Sequence, residues 1–179
     1  MNKSQSLFQV LYTDLRCANI SPSFGKLLLK FFSDPNFQTI FYFRLSLWAI
    51  KRGKLGWLIA KLCWKRNIYK SSCHLSFFSS VGSGLKFPHA CGIVIGDNTL
   101  IGNNVTIYQN VTIGKKDNDS LNYPIIGNNS IIYTGACLLG EISTGVNCIV
   151  AANAVLLRSM PENSMAAGIP AKIYKQKIK

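Results

Sequence analysis

The stretch Ile93-Val94-Ile95-Gly96-Asp97-Asn98-Thr99-Leu100-Ile101-Gly102-Asn103-Asn104-Val105-Thr106-Ile107 sets an isoleucine at 95, 101 and 107, one every six residues. The register continues through Ile113, then resumes at Ile126, Ile132, Leu138, Val150 and Leu156, with Thr144 as its one polar slot. Nine aliphatics in ten slots, where chance would give roughly one in four, make the period a structural signal. Small or modest residues recur four places after the aliphatic, as at Thr99, Val105, Val111, Ser130, Ala136, Cys148 and Ala154. A helix repeats every 3.6 residues and a flat strand every two, so neither accommodates a period of six. A triangular β-solenoid does: each short strand forms part of one face, and its aliphatic points into the shared prism.

Working outward, Leu75, Val81 and Phe87 fit the same spacing. The next slot would be Ile93, but the regular run starts at Ile95, so two extra residues enter after Phe87. A second interruption separates Ile113 from Ile126. Its centre, Lys115-Lys116-Asp117-Asn118-Asp119-Ser120, has no aliphatic residue and reads as a loop thrown out from a corner, the kind of place where function resides on a rigid repeat. After Leu156 the chain runs into Met165-Ala166-Ala167-Gly168-Ile169-Pro170-Ala171-Lys172 and a basic tail, which we expect to fold back over the edge of the last coil.

Residues 1–72 read as a helical region and 73–179 as the solenoid domain with its tail. Ser6–Leu15 and Phe24–Phe32 show three- and four-residue apolar spacing. Ser33-Asp34-Pro35 opens a helix that runs to Lys51, with Phe37, Ile40, Phe41, Leu45 and Trp48 expected along one face, and Gly53 stops it. Leu55–Tyr69 forms a further helix, polar on the side of Lys61, Lys65 and Arg66. These helices are expected to cap the open solenoid end. A basic-aromatic surface resting on an anionic membrane is the alternative use for them.

The chain has 179 residues and a net charge of +13, which points to anionic partners without choosing among nucleic acid, lipid and phosphate-bearing cofactors. The basic residues favour the helices and the tail rather than a base-stacking groove, so nucleic acid is not expected. Six cysteines include no C-x-x-C pair and no zinc spacing; we expect no metal, reduced thiols and a cytoplasmic protein, at most resting on the inner face of the membrane. Met1–Gln5 is polar and shows no signal-peptide pattern, and the most apolar stretch, Phe37–Ile50, is interrupted by Arg44 and too short to span a bilayer.

One of only two histidines, His89, stands at the first slip of the repeat, in Phe87-Pro88-His89-Ala90-Cys91-Gly92-Ile93-Val94-Ile95-Gly96. Imidazole is the natural general base near neutral pH, though a lone histidine can equally be a hydrogen-bonded structural residue, and the residue by itself leaves both open. Three segments carry a resemblance: His89–Gly96, Ile107-Tyr108-Gln109-Asn110-Val111-Thr112-Ile113-Gly114, and Ala166–Lys172. Through them the chain resembles the bacterial serine O-acetyltransferases, a family of left-handed hexapeptide-repeat acyltransferases, over residues 75–174 and only weakly in the helices.

The resemblance implies a mainly β fold, a left-handed parallel β-helix of hexapeptide repeats with an N-terminal α-helical cap. It also implies acetyl transfer from acetyl-CoA in clefts between the subunits of a homotrimer. His89 matches the catalytic histidine. Backbone N–H groups near Gly114 and Lys115 would face the oxyanion, Thr134 and Ala152 match the line along which CoA lies, and Lys172 matches the basic residue near its phosphates. Departures from the family bear on the acceptor. Pro88 replaces the aspartate before the histidine, Asn122-Tyr123 replaces an Arg-His pair, and His74 stands where an acidic residue is expected. A zwitterion would then lack its counter-charges, and unpaired buried charge is costly. Asn122 and Tyr123 suit a neutral polyol instead. The expected function is therefore an acetyl-CoA-dependent O-acetyltransferase acting on a sugar hydroxyl of a bacterial surface polysaccharide (capsule, O-antigen or exopolysaccharide). The alternative is a serine O-acetyltransferase of cysteine biosynthesis.

Overall fold

The structure, a computed structural model, describes residues 6–17, 20–21, 23–117 and 123–176. The six-residue period closes three parallel sheets. Face A carries Leu75, Ile95, Ile113, Leu138 and Leu156 in register, one from each of five coils. Face B carries Val81, Ile101, Ile126, Thr144 and Met160, the last two joined by an isolated bridge. Face C stacks Ile107, Ile132, Val150 and Ala166, with Lys86-Phe87 bridged onto Thr106-Ile107. All these aliphatics are buried. The polar slot is filled without an orphan, because the Thr144 hydroxyl accepts the Gly127 N–H at 2.9 Å. A Cβ on Gly127 would run into the carbonyl oxygen of Gly145 in the next coil, which is why glycine follows the aliphatic there.

One corner is held by an asparagine ladder. Asn104, Asn129, Asn147 and Asn163 all adopt positive φ, between 53° and 57°. Each side-chain amide donates to the next carbonyl oxygen, at 3.1, 3.1 and 3.0 Å. Asparagine tolerates the left-handed conformation, and stacking lets every rung satisfy its neighbour. At the open end of face C, Ser164–Ala167 pairs antiparallel with Lys172–Lys175, so the tail does fold back and cover the edge.

Thr99 is different. It is 0% exposed, and its hydroxyl has no hydrogen-bond partner among the described residues. A buried unpaired hydroxyl costs about 1–3 kcal/mol, and valine has nearly the same shape. Thr99→Val should therefore raise stability by about 1 kcal/mol, read as a higher urea midpoint at unchanged slope. A lower midpoint would show that the hydroxyl is satisfied.

Among the described residues, four helices precede the solenoid: α1 (Leu7–Cys17), α2 (Phe24–Ser33), α3 (Pro35–Ala49) and α4 (Gly53–Ser71). Asp34 caps α3, its carboxylate accepting the Asn36 N–H at 2.8 Å and the Phe37 N–H at 3.4 Å, with Pro35 in the first turn. Burial pushes the Asp34 pKa up, but the Lys30 ammonium and the two N–H donors outweigh it, and the carboxyl ends below its usual value. Gly53, at φ +73°, opens α4 as well as ending the preceding turn.

The expected apolar face of α3 needs correcting. Phe37, Ile40, Phe43 and Leu47 are its buried stripe, whereas Phe41, Leu45 and Trp48 are only partly buried. The stripe turns because Ile40, Phe43 and Leu47 enter the same core as Leu75, Val81, Leu85 and Phe87 and close the first coil, while Phe37 joins Leu11, Leu15 and Leu27 in a second cluster. Arg44, on that buried side, is 0% exposed. Its guanidinium grips the Asp14 carboxylate at 2.9 and 3.0 Å and donates to the carbonyls of Val81 and Gly82 at 3.1 and 2.7 Å. Asp14 in turn accepts the N–H groups of Gly84 and Leu85 at 2.7 and 3.0 Å.

Candidate active site

The two extra residues after Phe87 make a bulge at the corner between faces C and A of the first coil. His89 sits on it, exposed. The bulge is tied on two sides. The Ala90 N–H donates to Asn36 Oδ1 at 2.8 Å, and the Cys91 carbonyl accepts the Asn110 N–H of the next coil at 2.9 Å. Asn36 is held in the first turn of α3 by the Asp34 cap, so the helical region and the solenoid together set where the imidazole stands. No side chain among the described residues hydrogen-bonds the ring, and its nearest aromatic neighbour is Tyr108, with ring centroids 6.4 Å apart. Tyr108 stacks on Tyr133 of the next coil at 5.1 Å and 21°. Neither tyrosine was among the sequence-predicted site residues. Their signal was available in retrospect, since each directly follows an interior aliphatic on face C, Ile107 and Ile132.

Thr134 follows Tyr133 onto the same corner, and Ala152 lies one coil beyond; the Asn153 N–H donates to the Thr134 carbonyl at 2.8 Å. Lys172, exposed, pairs with Ala167 at the far end of face C. His89, Thr134, Ala152 and Lys172 thus line one edge of the solenoid. An edge with an imidazole at one end and a cation at the other can take a long, phosphate-bearing thioester.

Gly114, Lys115 and Tyr123 are elsewhere. Gly114 ends the face A strand Thr112–Gly114, so it and Lys115 lie at the corner between faces A and B, across face A from His89. Within one chain they are not brought to the histidine. Asn122 lies outside the described residues. Tyr123 lines an open cavity of about 590 Å³ with Asn98, Leu100, Glu141 and Ser143. The Lys115 ammonium stands 5.1 Å above the Tyr123 ring. No histidine lines this cavity. Its wall nevertheless carries a carboxylate, a phenol and a nearby ammonium, both signs of charge. His74 lines a separate depression between α4 and face A, with Lys61, Trp64 and Asp97. Among the described residues, no group of His, Cys, Asp and Glu could hold a metal ion.

No family model matches the chain. A serine acetyltransferase of Buchnera aphidicola is 36% identical over 145 residues, covering 78% of this chain and 54% of that protein. Among solved structures, soybean serine acetyltransferase complexed with serine matches with a TM-score of 0.80 and 28% identity, over 94% of this chain and 70% of that one. A serine acetyltransferase in complex with CoA matches with a TM-score of 0.72 and 28% identity, over 94% and 70%. The chain spans about half the length of the curated relatives it matches. These likenesses correct the expected acceptor: the relatives are named for serine, not for a sugar or a polysaccharide. Charges of both signs, Lys115 and Glu141, also reach the corner of Tyr123 from elsewhere in the chain. In sequence and in fold, the chain is a relative of the hexapeptide-repeat acetyltransferases.

Proposed function

We propose that the chain is an acetyl-CoA-dependent O-acetyltransferase whose acceptor is the hydroxyl of serine. The observation that carries this reading is His89, held out on a bulge fixed from two sides, in a chain similar along most of its length to serine acetyltransferases. His89 takes the proton of the serine hydroxyl as its oxygen attacks the acetyl carbonyl. The carbon–sulfur bond then breaks, and the thiolate of CoA leaves with the proton that His89 returns. Thr134, Ala152 and Lys172 form the line along which CoA binds. Glu141 and Lys115 supply counter-charges for the ammonium and carboxylate of serine beside Tyr123, and the N–H groups near Gly114 and Lys115 face the oxyanion.

The two edges lie on opposite sides of face A, so the complete site joins the His89 edge of one copy to the Tyr123 edge of the next. This favours a homotrimer, with left-handed winding and a cytoplasmic setting as parts of the same proposal. Thiol release from acetyl-CoA tests it: release should require serine. Equal release with an oligosaccharide and none with serine would overturn it, as would full activity in a monomer. Lys172→Ala should raise the KM for acetyl-CoA about tenfold, the worth of one charge-assisted phosphate contact, and leave kcat nearly unchanged. An unchanged KM would remove Lys172 from the phosphate.

A further inference from the structure

Helix α4 has two faces of opposite use. Gly56, Ala60, Cys63 and Asn67 are buried, and the Asn67 amide donates to the Thr39 carbonyl of α3 at 3.1 Å. On the other side Leu55, Leu58, Leu62 and Tyr69 are 71%, 48%, 58% and 75% exposed. Their spacing of three, four and seven residues stacks them into one stripe along the helix. Beside it runs a second stripe, exposed Lys54, Lys61 and Lys65, and α4 contains no acidic residue. Residues 1–72 hold twelve Lys and Arg against two acids, so ten of the thirteen net positive charges fall on the helical region. Both of those acids are already engaged, Asp14 by Arg44 and Asp34 by Lys30.

A leucine stripe left in water beside a lysine stripe needs a partner that is apolar inside and anionic at its surface. A second copy of this face would set like charges against each other. A nucleic acid would use the lysines but offer nothing to three leucines, since single strands are read by stacking on aromatic rings. We propose that α4 lies on an anionic lipid bilayer, its leucines and Tyr69 in the acyl boundary and its lysines among the headgroups. No described helix is long and apolar enough to cross a membrane, so the contact is in the plane of the surface. The inference does not depend on the acceptor of the transfer reaction.

Co-sedimentation of the full chain with vesicles tests it, comparing phosphatidylcholine alone with phosphatidylcholine doped with phosphatidylglycerol. The doped vesicles should bind the protein, and salt should release it. Leu58→Ser/Leu62→Ser and Lys61→Gln/Lys65→Gln should each weaken binding by about tenfold or more while circular dichroism stays unchanged. Absence of binding, equal binding to undoped vesicles, or undiminished binding by both variants would overturn the proposal. So would a fall in solution mass on Leu58→Ser/Leu62→Ser, which would assign the face to a second copy.

Discussion

Arg44→Ala should destabilise the protein by about 3–5 kcal/mol, a large part of the 5–15 kcal/mol that holds a typical domain together. The estimate follows from what would remain. Asp14 is 2% exposed, and without the guanidinium its carboxylate becomes a buried charge held only by the Gly84 and Leu85 N–H groups. The Gly82 carbonyl also loses the donor that reached it at 2.7 Å. Removing both charges at once often rescues such a pair, since two well-packed apolar side chains avoid the desolvation cost altogether. Here rescue should be incomplete. In Asp14→Leu/Arg44→Met the Gly84 and Leu85 N–H groups have no acceptor, and each orphaned group costs about 1–3 kcal/mol. Denaturant midpoints of the single and double variants decide the matter. A double variant as stable as the parent would mean that the pair is replaceable packing, and a mild Arg44→Ala would mean that helices and solenoid are joined mainly through Ile40, Phe43 and Leu47.

The same ion pair marks the limit of what the sequence discloses. Asp14 and Arg44 are thirty positions apart, and nothing local to either says that they meet. The solenoid was legible because its period is local and repeats: each interior aliphatic from Leu75 to Leu156 predicts the next, and the slips after Phe87 and Ile113 show as breaks in the count. The asparagine ladder left an equally regular trace, an Asn three residues before each interior residue at Ile107, Ile132, Val150 and Ala166, overshadowed by the aliphatics. The face of α3 was misjudged because helical spacing gives a stripe but not how many surfaces the helix must cover, and α3 covers both the first coil and α1–α2. The position of His89 on a bulge was legible because it falls at a break in the count. The charges around Tyr123 were not, because Lys115, Tyr123 and Glu141 gather at one corner only after the chain has made another turn of the prism.

His89→Ala should lower kcat with serine by about 10²–10⁴, the range that a positioned general base contributes, while acetyl-CoA still binds and the melting temperature hardly moves. Stability is spared because the side chain is exposed and hydrogen-bonds nothing among the described residues. A serine hydroxyl gives up its proton so reluctantly near neutral pH that attack on a thioester without a base is slow, and no other imidazole lies on this edge, since His74 lines a different depression. His89→Gln should be equally impaired, because it keeps a hydrogen-bonding group and loses the base. Tyr108→Phe should stay within about twofold if the ring only flanks the imidazole, as a tyrosine without a proton to move would. One competing route runs through Cys91, exposed two residues further on: its thiolate could take the acetyl group first and pass it to serine. Direct transfer and this covalent route differ in their kinetics. If His89 activates serine directly, Cys91→Ser keeps its turnover and initial rates show both substrates bound together. Ping-pong kinetics lost on Cys91→Ser, or near-normal turnover in His89→Ala, would transfer the chemistry from the imidazole to the thiol.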